Sequence, residues 1–152
     1  MKTESTLSTA ECKSTRYSAC LLFSANALAR AITTIGDEEF GKLGLTYSHA
    51  YLLREVIDNP GVTPTHLSET LRLTPSTITR LIEKLETKGL VTRRSEGKNT
   101  FVDPTDGGIG MSNAIMDAWQ RTGARYAEAI GEEQVKTLTQ QVFGAARALG
   151  EV

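Results

Sequence analysis

The run VTPTHLSETLRLTPSTITRLIEKLETKGLVTRR, from Val62 to Arg94, contains the pair Thr-Pro twice, at Thr63-Pro64 and at Thr74-Pro75. No other feature narrows the fold of this chain so much. A threonine hydroxyl just before a helix accepts a hydrogen bond from one of the backbone N–H groups that the first turn leaves without partners. Proline at the next position has its φ already set for helix and carries no N–H. Each pair therefore starts a helix: a short one from Pro64 to about Leu71, and a second from Pro75 to about Lys88. Only Arg72-Leu73-Thr74 remains for the turn, and Gly89 occupies the site where a left-handed residue closes a helix. Two helices joined this tightly make a helix-turn-helix unit.

The second helix has two unlike faces. Ile78, Leu81, Ile82 and Leu85 repeat at helical spacing and form the face to be buried. Ser76, Thr77, Thr79, Arg80, Glu83, Lys84, Thr87 and Lys88 stay outside. Its leading turns offer hydroxyls and one arginine, short enough to let the helix approach a surface closely. Such a face suits the DNA major groove, where arginine donates two bonds to guanine and Ser or Thr reaches bases or phosphates. The runs LVTRR and NTFVD then flank SEGK and read as a β-hairpin with Gly97 in its turn. A hairpin directly after a helix-turn-helix is a wing, and this one carries Arg93, Arg94 and Lys98.

Charge is distributed to match. The 152-residue chain has a net charge of −1, yet residues 72–98 hold seven Lys or Arg against three Glu, while the segments on either side are acidic. One basic window in an acidic chain is the electrostatic footprint of a polyanion-binding element.

The remaining sequence predicts long helices. Leu21, Ala25, Leu28, Ile32 and Ile35 give an amphipathic helix from about Ser14 to Ile35, which the glycines of GDEEFGKLG interrupt. Thr46 caps a helix over YSHAYLLREVIDN, ended by Asn59-Pro60-Gly61, and Val62 forms a very short strand. Thr105 caps a third long helix, weakened at its start by Gly107, Gly108 and Gly110, with Met111, Ile115, Trp119, Thr122, Tyr126 and Ile130 on one stripe. After Gly131 a last helix places Val135, Leu138, Val142, Ala145 and Leu149 in three-four alternation. A winged helix buries its own core, so apolar stripes on long terminal helices predict a homodimer.

The fold class is thus mainly α with a small β-hairpin wing: a winged helix-turn-helix flanked by long N- and C-terminal dimerisation helices. The chain divides into a flexible arm (1–13), an N-terminal dimerisation helix and loop (14–45), a DNA-binding domain (46–104) and C-terminal dimerisation helices (105–152). The polar N-terminus and the absence of a long apolar run predict no membrane span, and two cysteines, Cys12 and Cys20, fit a reducing cytoplasm. No phosphate loop, zinc-protease motif or nucleophile motif marks an enzyme, and the spacing of His49, His66 and the two cysteines matches no metal site, so neither cofactor nor metal is expected.

The blocks LTYSHAYLLREV, LSETLRLTPSTITRLIEKLETKGLVTRR and, less closely, FVDPTDGG resemble the MarR (multiple antibiotic resistance regulator) family of bacterial transcription factors. The resemblance runs from the first long helix to the last and implies a homodimer on palindromic double-stranded DNA, acting as a repressor. It implies base and phosphate contacts from Ser76, Thr77, Thr79 and Arg80, and backbone anchors at Thr74, Lys84 and Arg93 or Arg94, one of which pairs with a carboxylate instead. Family wings carry an Asp-x-Arg element that is missing from SEGKNT, where Lys98 is the available cation. Small-molecule release is the family's common mechanism, and the resemblance implies a pocket for a small aromatic or phenolic ligand lined by Tyr47, Tyr51 and Trp119. The pieces CLLFSANALAR and LTYSHAY also resemble the peroxide-sensing branch, which would make Cys20 a redox thiol; an inert buried thiol is the alternative. A winged-helix interaction module with little sequence-specific DNA binding is the third reading.

Overall fold

The computed structural model describes residues 15–150; the expected N-terminal arm and Cys12 lie outside them. The chain divides into two compact units, Met1–Ile32 and Thr33–Val152. Helix α1 (Leu21–Gly41) begins in the first and ends in the second. In the first unit the rings of Tyr17 and Phe23 lie 5.8 Å apart, Leu21 and Leu22 are each 73% exposed, and Cys20 is exposed. Within the described chain Cys20 is therefore not the buried thiol that cysteine usually is.

The second unit contains α2 (Tyr47–Asp58), α3 (Pro64–Leu71), α4 (Pro75–Thr87), β1 (Val91–Glu96), β2 (Asn99–Pro104), α5 (Asp106–Gly110), α6 (Ser112–Ile130) and α7 (Glu132–Ala148). Strands β1 and β2 pair antiparallel, with Glu96 opposite Asn99. Gly97 alone of the two loop residues has positive φ, at 60°, which fits a two-residue type II′ turn. Val62 bridges to Val102 as a third, one-residue strand.

Two boundaries differ from the sequence expectation. Helix α1 starts at Leu21 and runs through Gly36 to Gly41. Interior glycine costs about 1 kcal/mol of helix propensity, and packing overrides it here. Gly36 and Phe40 are buried, and buried Glu39 is held by Lys42, just past the end of its helix, and by Arg121 and Arg125 on α6. The expected single helix after Thr105 is two, α5 and α6, meeting at Met111.

Gly108 sets how closely α5 docks. A Cβ there would overlap the carbonyl oxygen of Leu90 and lie 3.0 Å from its carbon and 3.3 Å from Leu53 Cδ1. The glycine that weakens the helix also lets α5 dock on the chain entering the wing. Thr105 secures the contact: its hydroxyl donates to Gly89 O at 2.6 Å and its N–H donates to Leu90 O at 3.1 Å.

The core is one cluster built from Phe40, Leu45, Leu52, Leu53, Val56, Leu67, Ile78, Ile82, Leu85, Val91, Val102 and Ile115, among others. All four predicted apolar residues of α4 are in it. On α6, Ile115 and Thr122 are buried, whereas Ile130 is 48% exposed. Helix α7 buries no residue.

Candidate nucleic-acid interface

Both Thr-Pro pairs cap helices as their sequence requires. Thr63 Oγ1 accepts from His66 N at 3.2 Å, and Thr74 Oγ1 accepts from Thr77 N at 3.3 Å, with Pro64 and Pro75 in the first turn of each helix. Helix α4 closes in a Schellman arrangement: Gly89 N donates to Glu86 O and Leu90 N to Leu85 O, both at 2.9 Å, with Gly89 at φ 70°. The recognition-type helix is thus fixed at both ends, and the buried face of Ile78, Leu81, Ile82 and Leu85 sets its rotation.

That rotation leaves Thr74, Ser76, Thr77, Thr79, Arg80 and Lys84 exposed. The hydroxyls are ordered among themselves: Thr74 Oγ1 lies 3.1 Å from Ser76 Oγ and 2.9 Å from Thr77 Oγ1. Thr79 donates back to Pro75 O at 3.0 Å, which occupies its hydroxyl proton within the helix.

The cations divide into two kinds. Arg93 is held to α4, donating to Glu86 Oε2 from Nε at 3.0 Å and from Nη2 at 2.7 Å, while its backbone N–H meets Glu86 Oε1 at 3.2 Å. The paired guanidinium holds the Glu86 carboxyl below its ordinary range. Arg94 donates to Asp103 Oδ2 at 2.7 Å, pairs with Glu96, and stacks on Phe101 with Cζ 4.7 Å from the ring centre. Sequence reasoning allows for one paired arginine here; both are paired. It also finds no Asp to steady a wing cation, because Asp103 reaches Arg94 from the opposite strand, outside the tip. Of the seven cations in residues 72–98, these two are tied down and five make no ion pair among the described residues: Arg72, Arg80, Lys84, Lys88 and Lys98. Sequence reasoning does not single out Arg72 and Lys88; that neither forms an ion pair among the described residues becomes legible only once the fold is known.

His49 connects α2 to this helix. At the third position of α2 its Nδ1 lies 2.8 Å from Thr46 Oγ1 and 3.4 Å from Thr46 N, closing a capping box. Its Nε2 is buried without a partner. Burial first, then Lys84 of α4 and Lys88 at its C-cap, hold its pKa below the ordinary value, with Asp37 opposing. His66 lies 3.5 Å from Glu55.

The aromatic residues predicted to line a pocket come together. Tyr47 and Tyr51 lie 6.0 Å apart, Tyr51 and Trp119 5.0 Å apart, and Phe40 packs edge-on to Trp119 at 5.7 Å. Burial and the neighbouring Tyr51 push the Tyr126 phenol up. Among the described residues no group of three or more His, Cys, Asp or Glu is arranged to hold a metal ion, and no helix is long and apolar enough to cross a membrane.

A helix-turn-helix closed by a two-stranded wing, with a hydroxyl-rich outer face and unpaired cations around it, defines the winged helix-turn-helix class. Residues 43–99, the winged-helix region, match the model of the MarR family. The HTH-type transcriptional regulator YybA of Bacillus subtilis (strain 168) is 31% identical over 84 residues, 53% of this chain and 56% of that protein. The match thus spans little more than half of the curated relative. A putative MarR family transcriptional regulator from Listeria monocytogenes, solved in complex with a 26mer DNA, is 25% identical with a TM-score of 0.68, covering 85% of this chain and 88% of its own. CouR from Rhodococcus jostii RHA1, solved bound to p-coumaroyl-CoA, has a TM-score of 0.73 at 22% identity, covering 88% and 96% of the two chains, a likeness of fold.

Proposed function

We propose that the chain is a transcriptional regulator that binds a palindromic operator in duplex DNA as a homodimer, acts as a repressor, and is released by a small aromatic or phenolic ligand. The observation that carries this reading is the outer face of α4. Ser76, Thr77 and Arg80 stand exposed on its leading turns, and Arg80 makes no ion pair among the described residues. Arg80 is the base-reading donor; Thr74, Lys84 and Lys98 meet phosphates. Arg93 acts as the brace between wing and α4, and Arg94, held by Asp103 and Phe101, is the wing's oriented cation. A second copy of the chain covers the apolar residues left open on the terminal helices, where Val142 is 50%, Phe143 55% and Leu149 74% exposed. The Tyr47–Tyr51–Trp119 cluster supports the ligand reading, since a flat apolar molecule gains most from such faces.

The test is selection from a random duplex library, followed by salt titration of wild type and Arg80→Ala. A palindrome is expected, with Arg80→Ala weakening binding by about 1–3 kcal/mol and relaxing preference at one position of each half-site. Sequence-blind binding that ignores Arg80 would sink the proposal.

A further inference from the structure

We propose that Arg72, in the turn between α3 and α4, is a DNA-backbone anchor: a phosphate contact that clamps the leading end of α4 from outside the helix. The inference rests on the DNA-binding reading above and adds to it a contact from the turn.

Arg72 has φ 54° and ψ 41° and is the only non-glycine with positive φ among the described residues. The fold imposes that backbone. Ser68 O accepts from both Arg72 N and Leu73 N, the second at 3.2 Å, and the Ser68 hydroxyl donates back to Leu73 O at 2.6 Å. Leu71 and Leu73 on either side pack against the core. Glycine fits such a left-handed position without penalty, and asparagine or aspartate tolerates it; a long side chain with a Cβ is strained there. Every other positive-φ position among the described residues is a glycine. An arginine kept where the backbone disfavours it implies work by its side chain.

The surroundings leave that side chain exposed. Arg72 makes no ion pair among the described residues, although Glu69 lies one turn before it on α3. Among the described residues it packs on no aromatic ring, unlike Arg94. It stands two residues before Thr74, the cap of α4, and so immediately precedes the leading turns that carry Ser76, Thr77 and Arg80. A guanidinium there is suited to grip phosphate with two parallel bonds while the helix enters the groove.

Arg72→Gly, Arg72→Asn and Arg72→Lys, measured beside Arg80→Ala on the selected duplex, separate the possibilities. Arg72→Gly is expected to keep or raise Tm, because it relieves the backbone, while weakening DNA binding about 3-fold or more near physiological salt. Its plot of log affinity against log salt should be shallower by about 0.9 for each Arg72 engaged. Arg72→Asn should bind as weakly, Arg72→Lys should recover most of the affinity and slope, and the preferred sequence should not change. Unaltered affinity and slope in Arg72→Gly, on DNA whose binding Arg80→Ala weakens, would overturn the anchor and leave the DNA-binding reading standing. A fall in Tm would overturn the strain argument. Failure of wild type to bind any duplex overturns both readings.

Discussion

Gly108→Ala sets helix propensity against tertiary packing. Gly108 lies inside α5, and propensity alone makes alanine better there by about 1 kcal/mol. The structure reverses the sign. The added Cβ overlaps the Leu90 carbonyl oxygen and sits 3.0 Å from the carbonyl carbon, both backbone atoms that no rotamer change can move. The two segments must part, at an overpacking cost of about 1–3 kcal/mol. Parting also breaks the Thr105 bonds to Leu90 O at 3.1 Å and Gly89 O at 2.6 Å, each worth about 1 kcal/mol. After subtracting the propensity gain, the net destabilisation is about 2–4 kcal/mol. Urea unfolding followed by circular dichroism, at one fixed protein concentration, should show the midpoint falling by about 1–2 M with little change in slope. Gly110→Ala is the control: it lies in the same short helix with no atom within 4 Å of its added Cβ and should gain about 0.5–1 kcal/mol. A Gly108→Ala protein as stable as wild type would refute the close-approach reasoning.

Two pH effects follow from buried contacts. Lys42 first, then Arg121 and Arg125, hold the Glu39 carboxyl at about 2 against an ordinary 4.5, with burial opposing. A depressed carboxylate contributes stability that is fully present above 4.5 and lost as pH falls through about 2. Acid unfolding of Glu39→Gln should therefore decline less steeply across that window, and parallel curves would contradict the assignment. For His49 the fold favours the neutral ring, so stability is fully present above 6.5 and declines as pH falls toward its lowered pKa. Glutamine preserves an acceptor for Thr46 N–H and does not titrate, so His49→Gln should flatten the fall in urea midpoint between about pH 7.5 and about pH 5.5. An unchanged fall would assign that dependence to other groups.

The parts of this protein that sequence determines are those set within a few residues. Thr63-Pro64 and Thr74-Pro75 start their helices, Gly89 ends α4 and Gly97 turns the hairpin, because a cap, a fixed φ or a missing Cβ acts on its immediate neighbours. Helical spacing likewise assigns Ile78, Leu81, Ile82 and Leu85 to the core, and so places Ser76, Thr77 and Arg80 outside. Tertiary structure decides what depends on elements meeting. It carries α1 through Gly36, requires a glycine at 108, and holds Arg72 in a left-handed turn. It also sorts the basic window, since Glu86 reaches Arg93 from the preceding helix and Asp103 reaches Arg94 from the facing strand. Counting charges along the chain finds a basic surface. Which of those charges remain free for a phosphate is settled by carboxylates seven and nine residues away, brought within hydrogen-bond distance only by folding.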